Sequence, residues 1–348
     1  MSQTWIDQVD RFCRQYLQLE PKLDFPQGTF LRLPEVQDAI FTNLFADGAV
    51  RYAPPTRYQT RNLKDLVSRI EAGIEDWDQH EVSENLMSTL SVLLATPHPP
   101  EAALVQQRFY VTYSLSGLPG DPNSTSSKEQ DPHITLLENR SLIAAGGTTG
   151  LRTWEAGLHM GQFLCQNPAI VRGKRILELG TGTGYLSILC AYYLGATHVL
   201  ASDGSDDVIN NLPENLFLND LEDSSRITPM DVKWGHALVG TEEEAWNGGW
   251  PVDVVLGADV TYDRSAIPAL VGTLVDLFAL HPNVEVYISA AQRNEETFGV
   301  FMKACGDNGL VAEDLEFGVP SRSSQRGPFY DDEVPIKIFT CRVSRRNV

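Results

Sequence analysis

Glu178-Leu179-Gly180-Thr181-Gly182-Thr183-Gly184 packs three glycines into five positions. Glycine tolerates positive φ and lets a backbone come close to a ligand, and the helix that follows offers free N–H groups at its start. The spacing is G-x-G-x-G, not the G-x-G-x-x-G of dinucleotide sites, and no Walker lysine follows, which excludes a P-loop. Asp203 stands 23 residues beyond Gly180, where a carboxylate can accept both hydroxyls of a ribose. Its plainer role would be to cap a helix, but Ser205 and Asp206 can do that just downstream. The run Asp259-Val260-Thr261-Tyr262-Asp263 sets an aromatic ring three residues after a carboxylate. Such a pair suits an amine, one member by hydrogen bonding and the other by a π face. A turn capping the next helix is the alternative.

Two tryptophans complete the list of candidates. Trp154 follows Gly146-Gly147-Thr148-Thr149-Gly150 and opens an apolar helical stretch reaching Leu164. There it can cover an adenine, shield a sulfonium cation or simply fill a core. Trp234 falls where an adenine edge would lie, and His159 reads as a packing or surface histidine.

These residues need a scaffold, and the second half of the chain alternates strand and helix patterns. Strands are expected at Ile176–Leu179, His198–Ala201, Ile227–Lys233, Val252–Leu256 and Val284–Ser289. Helices are expected at Tyr185–Leu194, Asp206–Leu218, Ser265–Leu280 and Glu295–Cys305. Leu310–Phe317 and Ile336–Val343 close the pattern as two strands without a helix between them, hence an antiparallel edge hairpin. Parallel pairs need crossover helices, so the fold class is α/β: a doubly wound seven-stranded sheet, mostly parallel. Ligands of such sheets sit outside the carboxyl ends of the strands, which is where the glycine run, Asp203 and Asp259 fall.

The first 95 residues instead repeat apolar residues at helical spacing. Trp5, Val9, Phe12 and Tyr16 form one stripe, and Val36, Ile40, Leu44 and Phe45 form another behind Pro34. Leu63, Leu66, Val67 and Ile70, then Leu86, Leu90, Leu93 and Leu94, continue it until Pro97. The expected organisation is a helical module over 1–100, a linker or loop region over 101–133 and an α/β domain over 134–348. Arg51, Arg57, Arg61 and Lys64, interleaved with Tyr52 and Tyr58, make a basic patch that reads as a solvated loop or as a docking surface for an acidic partner or ribosomal RNA.

Composition narrows the function classes. The 348 residues carry a net charge of −19, so nonspecific binding to phosphate backbones is disfavoured and basic protein partners are favoured. No direct nucleic-acid partner is expected. The longest apolar stretch, Ala266 to Leu280, is interrupted by Thr273 and Asp276 and falls short of the roughly 20 residues of a membrane span. The first residues carry Asp7 and Asp10 where a signal peptide needs a basic start. Five scattered cysteines show no metal-ligand spacing and read as free thiols of a reducing compartment. A cytoplasmic monomer without metal is the expectation.

ILELGTGTGYLSI (176–188), the acid Asp203, ADVTYD (258–263) and the terminal hairpin together resemble a seven-β-strand S-adenosylmethionine-dependent methyltransferase. Trp154, Trp234 and Asp259-x-x-Tyr262 resemble, more narrowly, the lysine methyltransferases of family 16. GGTTGLRTWEAG (146–157), with the helical extension, is similar to the elongation factor 2 lysine methyltransferases within that group. The resemblance implies a Rossmann-like fold with S-adenosyl-L-methionine as cofactor. Gly180, Thr181 and Gly182 would hold its methionine end, Asp203 its ribose, Trp234 its adenine, and Trp154 and Ala258 the remaining wall. Asp259 and Tyr262 would orient the incoming lysine as the catalytic pair. A second acid, Asp263, departs from the pattern and leaves open which carboxylate does so.

Free lysine has a pKa near 10.4, so only about 1 in 2,500 is neutral at pH 7. An aromatic pocket beside a sulfonium lowers that pKa, whereas a carboxylate raises it, so Asp259 is expected to act through geometry. Three other readings remain: the same reaction on another translation or chaperone protein, a nicotinamide-dependent dehydrogenase, and a non-catalytic docking module that keeps the cofactor.

Overall fold

The computed structural model describes residues 4–97, 107–118, 132–140, 149–239 and 249–344, and the structural statements below concern these. Contacts divide the chain into two units, one of residues 1–116, 120–142 and 326–329, the other of residues 117–119, 143–325 and 330–348.

In the first unit the helical stripes become a shared core. Helices α1 (Trp5–Leu17), α2 (Gly28–Leu31), α3 (Pro34–Leu44), α4 (Thr56–Gly73) and α5 (Glu84–Ala95) bury Phe12, Tyr16, Ile40, Leu63, Leu66 and Ile70 together. The start of α1 is fixed by a capping box, in which Thr4 accepts the Asp7 N–H and Asp7 accepts the Thr4 N–H. Pro34 opens α3, where its missing N–H costs nothing. Leu94, expected in the last stripe, is instead 59% exposed. Tyr58 of the basic patch turns inward, its hydroxyl donating to the Glu20 carbonyl, while Arg61 lies 5.3 Å from its ring.

Strands β1 (Phe109–Ser114) and β2 (His133–Glu138) pair antiparallel and belong to this same unit. This differs from the expectation of a linker over 101–133 and a domain beginning at 134. The run FYVTYS has the alternation of a strand, and Tyr113 anchors it by donating its hydroxyl to the buried Glu138 at 2.8 Å. Arg140 extends the tie to α1 by donating to the carbonyls of Gln18 and Leu19. Residues 101–106 and 119–131 of the expected linker or loop region, and residues 146–148 of the GGTTG run, lie outside the described residues.

The second unit is the doubly wound sheet. Strands β3 (Arg175–Leu179), β4 (His198–Asp203), β5 (Ile227–Asp231), β6 (Val254–Ala258), β7 (Glu285–Ala291), β8 (Leu310–Asp314) and β9 (Ile336–Val343) lie in the order β5-β4-β3-β6-β7-β9-β8. The first five are parallel, and β9 runs antiparallel to both β7 and β8. Helices α6 (Glu155–Gln166), α7 (Tyr185–Ile188), α8 (Asp206–Phe217), α9 (Ile267–Leu280) and α10 (Glu295–Asp307) connect or cover the strands. Leu177, Leu179, Val255, Val286 and Ile288 of the sheet are buried in one cluster with Leu270, Leu274 and Leu277 of α9.

Strand order reverses between β3 and β6, which are neighbours. The crevice of such a sheet opens at that switch point, so the two loops leaving β3 and β6 face one opening. Among the described residues no helix is long and apolar enough to cross a membrane, and no cluster of metal ligands is found. His159 is buried in structural contacts, with its ring nitrogens 3.0 Å from the Tyr330 hydroxyl and the Phe317 carbonyl.

Candidate active site

The glycine loop leaves β3 with positive φ at Gly180, Gly182 and Gly184. A side chain at Gly180 would meet Val260 at 2.9 Å and Trp234 at 3.6 Å; one at Gly182 would meet the Gly150 carbonyl at 3.2 Å. Local bonds fasten the loop. Thr181 N–H donates to the Ser202 carbonyl at 2.8 Å, and Asn215 donates to the Thr183 carbonyl at 2.8 Å. Beneath it, the buried Glu178 accepts from Thr181 Oγ1 and Ser187 Oγ. Burial pushes the Glu178 carboxyl up to about 7 against those two donors.

Asp203 ends β4 and serves the loop too. Its Oδ2 accepts the Gly182 N–H at 3.2 Å and its Oδ1 the Ser205 N–H at 3.0 Å. Ser205 holds the N-cap position of α8 but makes no side-chain cap bond, so the capping expected of it is not used. Burial raises the Asp203 carboxyl, against its backbone donors.

Asp259 follows β6 in the left-handed conformation, φ 56°, with its N–H donating to the Ser289 carbonyl at 2.8 Å. Apart from glycine, Asp and Asn are the residues that visit this region routinely. Its side chain is only 10% exposed, and burial raises its carboxyl while Arg293 opposes that. Tyr262 is exposed, and its hydroxyl accepts from Thr149 Oγ1 at 3.1 Å. Asp263 is exposed and bound to Ser265 N–H and Oγ, bonds that lower its carboxyl. Of the two neighbouring acids, only Asp259 lines the cavity.

That cavity, of about 550 Å³, is lined by Trp154, Gly180, Thr181, Gly182, Asp203, Trp234, Ala258, Asp259 and Tyr262, all nine residues expected from the sequence. Two residues that sequence reasoning missed join them at the mouth. Arg293, just past β7, reaches Asp259 Oδ2 at 3.2 Å and also pairs with Glu155 at the start of α6. Its guanidinium carbon lies 5.2 Å from the centre of the Trp154 ring, and that of Arg152 4.9 Å from it. Trp154 is held in turn by donating Nε1–H to the Thr149 carbonyl at 3.0 Å. The available signal for Arg293 was its place at the carboxyl end of a central strand.

A family model described as lysine methyltransferase matches residues 133–306, half of the chain. A relative from Chaetomium thermophilum, the protein-lysine N-methyltransferase EFM3, is 56% identical over 335 residues, covering 96% of this chain and 98% of that protein. EFM3 of Saccharomyces cerevisiae is 31% identical over 251 residues, 67% of this chain and 66% of that one. The human protein-lysine N-methyltransferase EEF2KMT is 33% identical over 189 residues, 51% of this chain and 56% of that one.

Methyl transfer in this family implies S-adenosylmethionine as the donor, and the cavity has the chemistry to hold it. Substituting either loop glycine would fill the cradle, and Trp234 Nε1, buried, has no partner among the described residues. A buried donor without a partner is costly, so one that lines a cavity marks a place for a ligand acceptor. Asp203 retains acceptor capacity beyond its bonds to backbone N–H groups. With half its length matched by the family model and nearly all of it aligned to a relative 56% identical, this chain belongs to the lysine methyltransferase family and is a protein-lysine N-methyltransferase.

Proposed function

We propose that the chain methylates a lysine of translation elongation factor 2, as a cytoplasmic monomer. The observation that carries the lysine site is the buried Asp259, in the left-handed conformation, which lines with Tyr262 the same cavity as the glycine loop. The likeness of GGTTGLRTWEAG (146–157) to the elongation factor 2 group, and the relatives named EFM3 and EEF2KMT, support the substrate.

S-adenosylmethionine, when bound, supplies an electrophilic methyl group on a sulfonium. The chain's part is to bind, orient and exclude water. Gly180, Thr181 and Gly182 hold the methionine end, Asp203 the ribose and Trp234 the adenine, with Trp154 and Ala258 as wall. Asp259 accepts a hydrogen bond from the lysine nitrogen, which aims its lone pair, and the Tyr262 ring packs along the side chain. That chemistry asks the chain for no general acid.

Methyl transfer from labelled S-adenosylmethionine into purified, unmethylated elongation factor 2 tests this reading, with Asp203→Ala as control. Label on one lysine, absent with the control, is the expected result. Label only on another protein of a whole-cell extract would overturn the substrate and keep the reaction. Cofactor binding without label in either would overturn the catalytic reading.

A further inference from the structure

Asp259 poses a problem of charge. A lone buried carboxylate beside the lysine would hold it as an ammonium, which has no lone pair to attack a methyl group. The structure does not leave Asp259 alone. Arg293 meets its Oδ2 at 3.2 Å, and the same guanidinium pairs with Glu155. Glu155 Oε1 lies 3.5 Å from Arg152. Two carboxylates and two guanidiniums thus form one run of ion pairs with no net charge, and both guanidiniums lie over the Trp154 ring. The other ionisable groups lining the cavity are Tyr262, Asp203, Glu178, Tyr185 and Lys233.

We propose that Arg293 is a positioning residue for the transfer: by balancing the Asp259 carboxylate, it lets the substrate lysine bind as a neutral amine rather than as an ammonium. The inference rests on the reading that Asp259 orients the lysine. A carboxylate has about four acceptor sites, and Arg293 with the Ala291 N–H uses part of them. The remainder accepts an N–H of the amine. The lone pair then forms the new N–C bond as the electrons of the broken C–S bond stay with sulfur, and the resulting methylammonium releases its proton to water. An ammonium would instead bring a further cation into a balanced cluster beside a sulfonium.

Two measurements test it. The first needs no substrate: carboxyl carbon NMR of the cofactor-free protein, with the Asp259 signal assigned by Asp259→Asn. In Arg293→Gln the Asp259 midpoint moves up by about one pH unit, at the lower end of the effect of an adjacent cation. The second is the pH profile of kcat, which reports groups in the enzyme–substrate complex. Its acid limb moves up by about one unit in Arg293→Gln, returns in Arg293→Lys, and returns in Arg293→Gln combined with Asp259→Asn. An Asp259 midpoint that stays put overturns the proposal. So does an acid limb that stays put while kcat falls uniformly, since that is the signature of a merely structural arginine. If the wild type fails to methylate elongation factor 2, the substrate reading falls, and the NMR arm still decides the role of Arg293.

Discussion

The two sides of the cavity are built by different means. On the glycine side, backbone does the work: three positive-φ glycines, loop amides bound to Ser202 and Asp203, and a carbonyl tied to Asn215. On the other side, side chains do it, through Arg293 joining Asp259 and Glu155 across 34 and 138 positions of sequence. A backbone cradle is rigid and tolerates no added atoms. An ion-paired cluster is adjustable, and its behaviour depends on which members keep their charge. The contrast matches the two tasks, holding an invariant cofactor and admitting a side chain from another protein.

The sharpest way to break the first side is Gly180→Ala. A left-handed φ of 69° with an L side chain costs about 1–2 kcal/mol, and overpacking against Val260 at 2.9 Å adds about 1–3 kcal/mol. Both costs fall on the folded protein, so Tm is expected to drop, and a loop displaced to relieve them no longer fits the cofactor, so affinity by calorimetry is expected to fall by up to about 100-fold. Affinity unchanged while Tm falls would mean that the loop keeps its place and the fold alone bears the strain.

Asp259→Ala probes the second side. A hydrogen bond to a charged group is worth about 1.5–3 kcal/mol, so kcat is expected to fall about 10–100-fold. Cofactor affinity should change little. Full turnover in this variant, measured with labelled donor, would remove Asp259 from the reaction.

Trp234→Phe returns to the glycine side with a smaller effect. It deletes a buried donor that has no partner among the described residues. The cofactor-free protein should therefore gain about 1 kcal/mol of stability, while cofactor affinity drops about 5- to 10-fold. Affinity unchanged would mean that Nε1 does not meet the cofactor.

Glu178→Gln separates stability from binding by pH. The Glu178 carboxyl sits at about 7 when folded, above its usual 4.5. A raised folded value means that its favourable contribution is complete below pH 4.5 and is lost as pH rises through 7. At pH 8 the variant should melt about 2–4 °C higher than the wild type, the shift expected for about 1 kcal/mol. Near pH 5 the two curves should converge. A gap independent of pH would point to repacking instead of charge.

Much of this was legible beforehand, for identifiable reasons. Strands β3, β4, β6 and β7 are short apolar runs, the first three leading into a glycine or an acid, and the structure starts or stops each of the four within about two residues of the expected bounds. The switch-point loops follow from that order, so Gly180, Asp203 and Asp259 could be placed at one opening. The β1–β2 pair was not legible, because its two strands are separated by a polar stretch and their partner cannot be read from either alone. Asp263 could not be told from Asp259 by residue type. Only the fold turned one carboxylate into the cavity and bound the other to Ser265.

By itself the sequence determined the alternation of elements, the glycine cradle and the acids at the ends of β4 and β6. These depend on contacts between near neighbours along the chain, where spacing carries the information. Tertiary structure alone decided that Arg293 would meet Asp259 and Glu155 over the ring of Trp154. An ion pair leaves no periodic mark on the residues around it. Its partners come together only when the sheet closes, and their charge state is then set by burial, which no spacing of residues records.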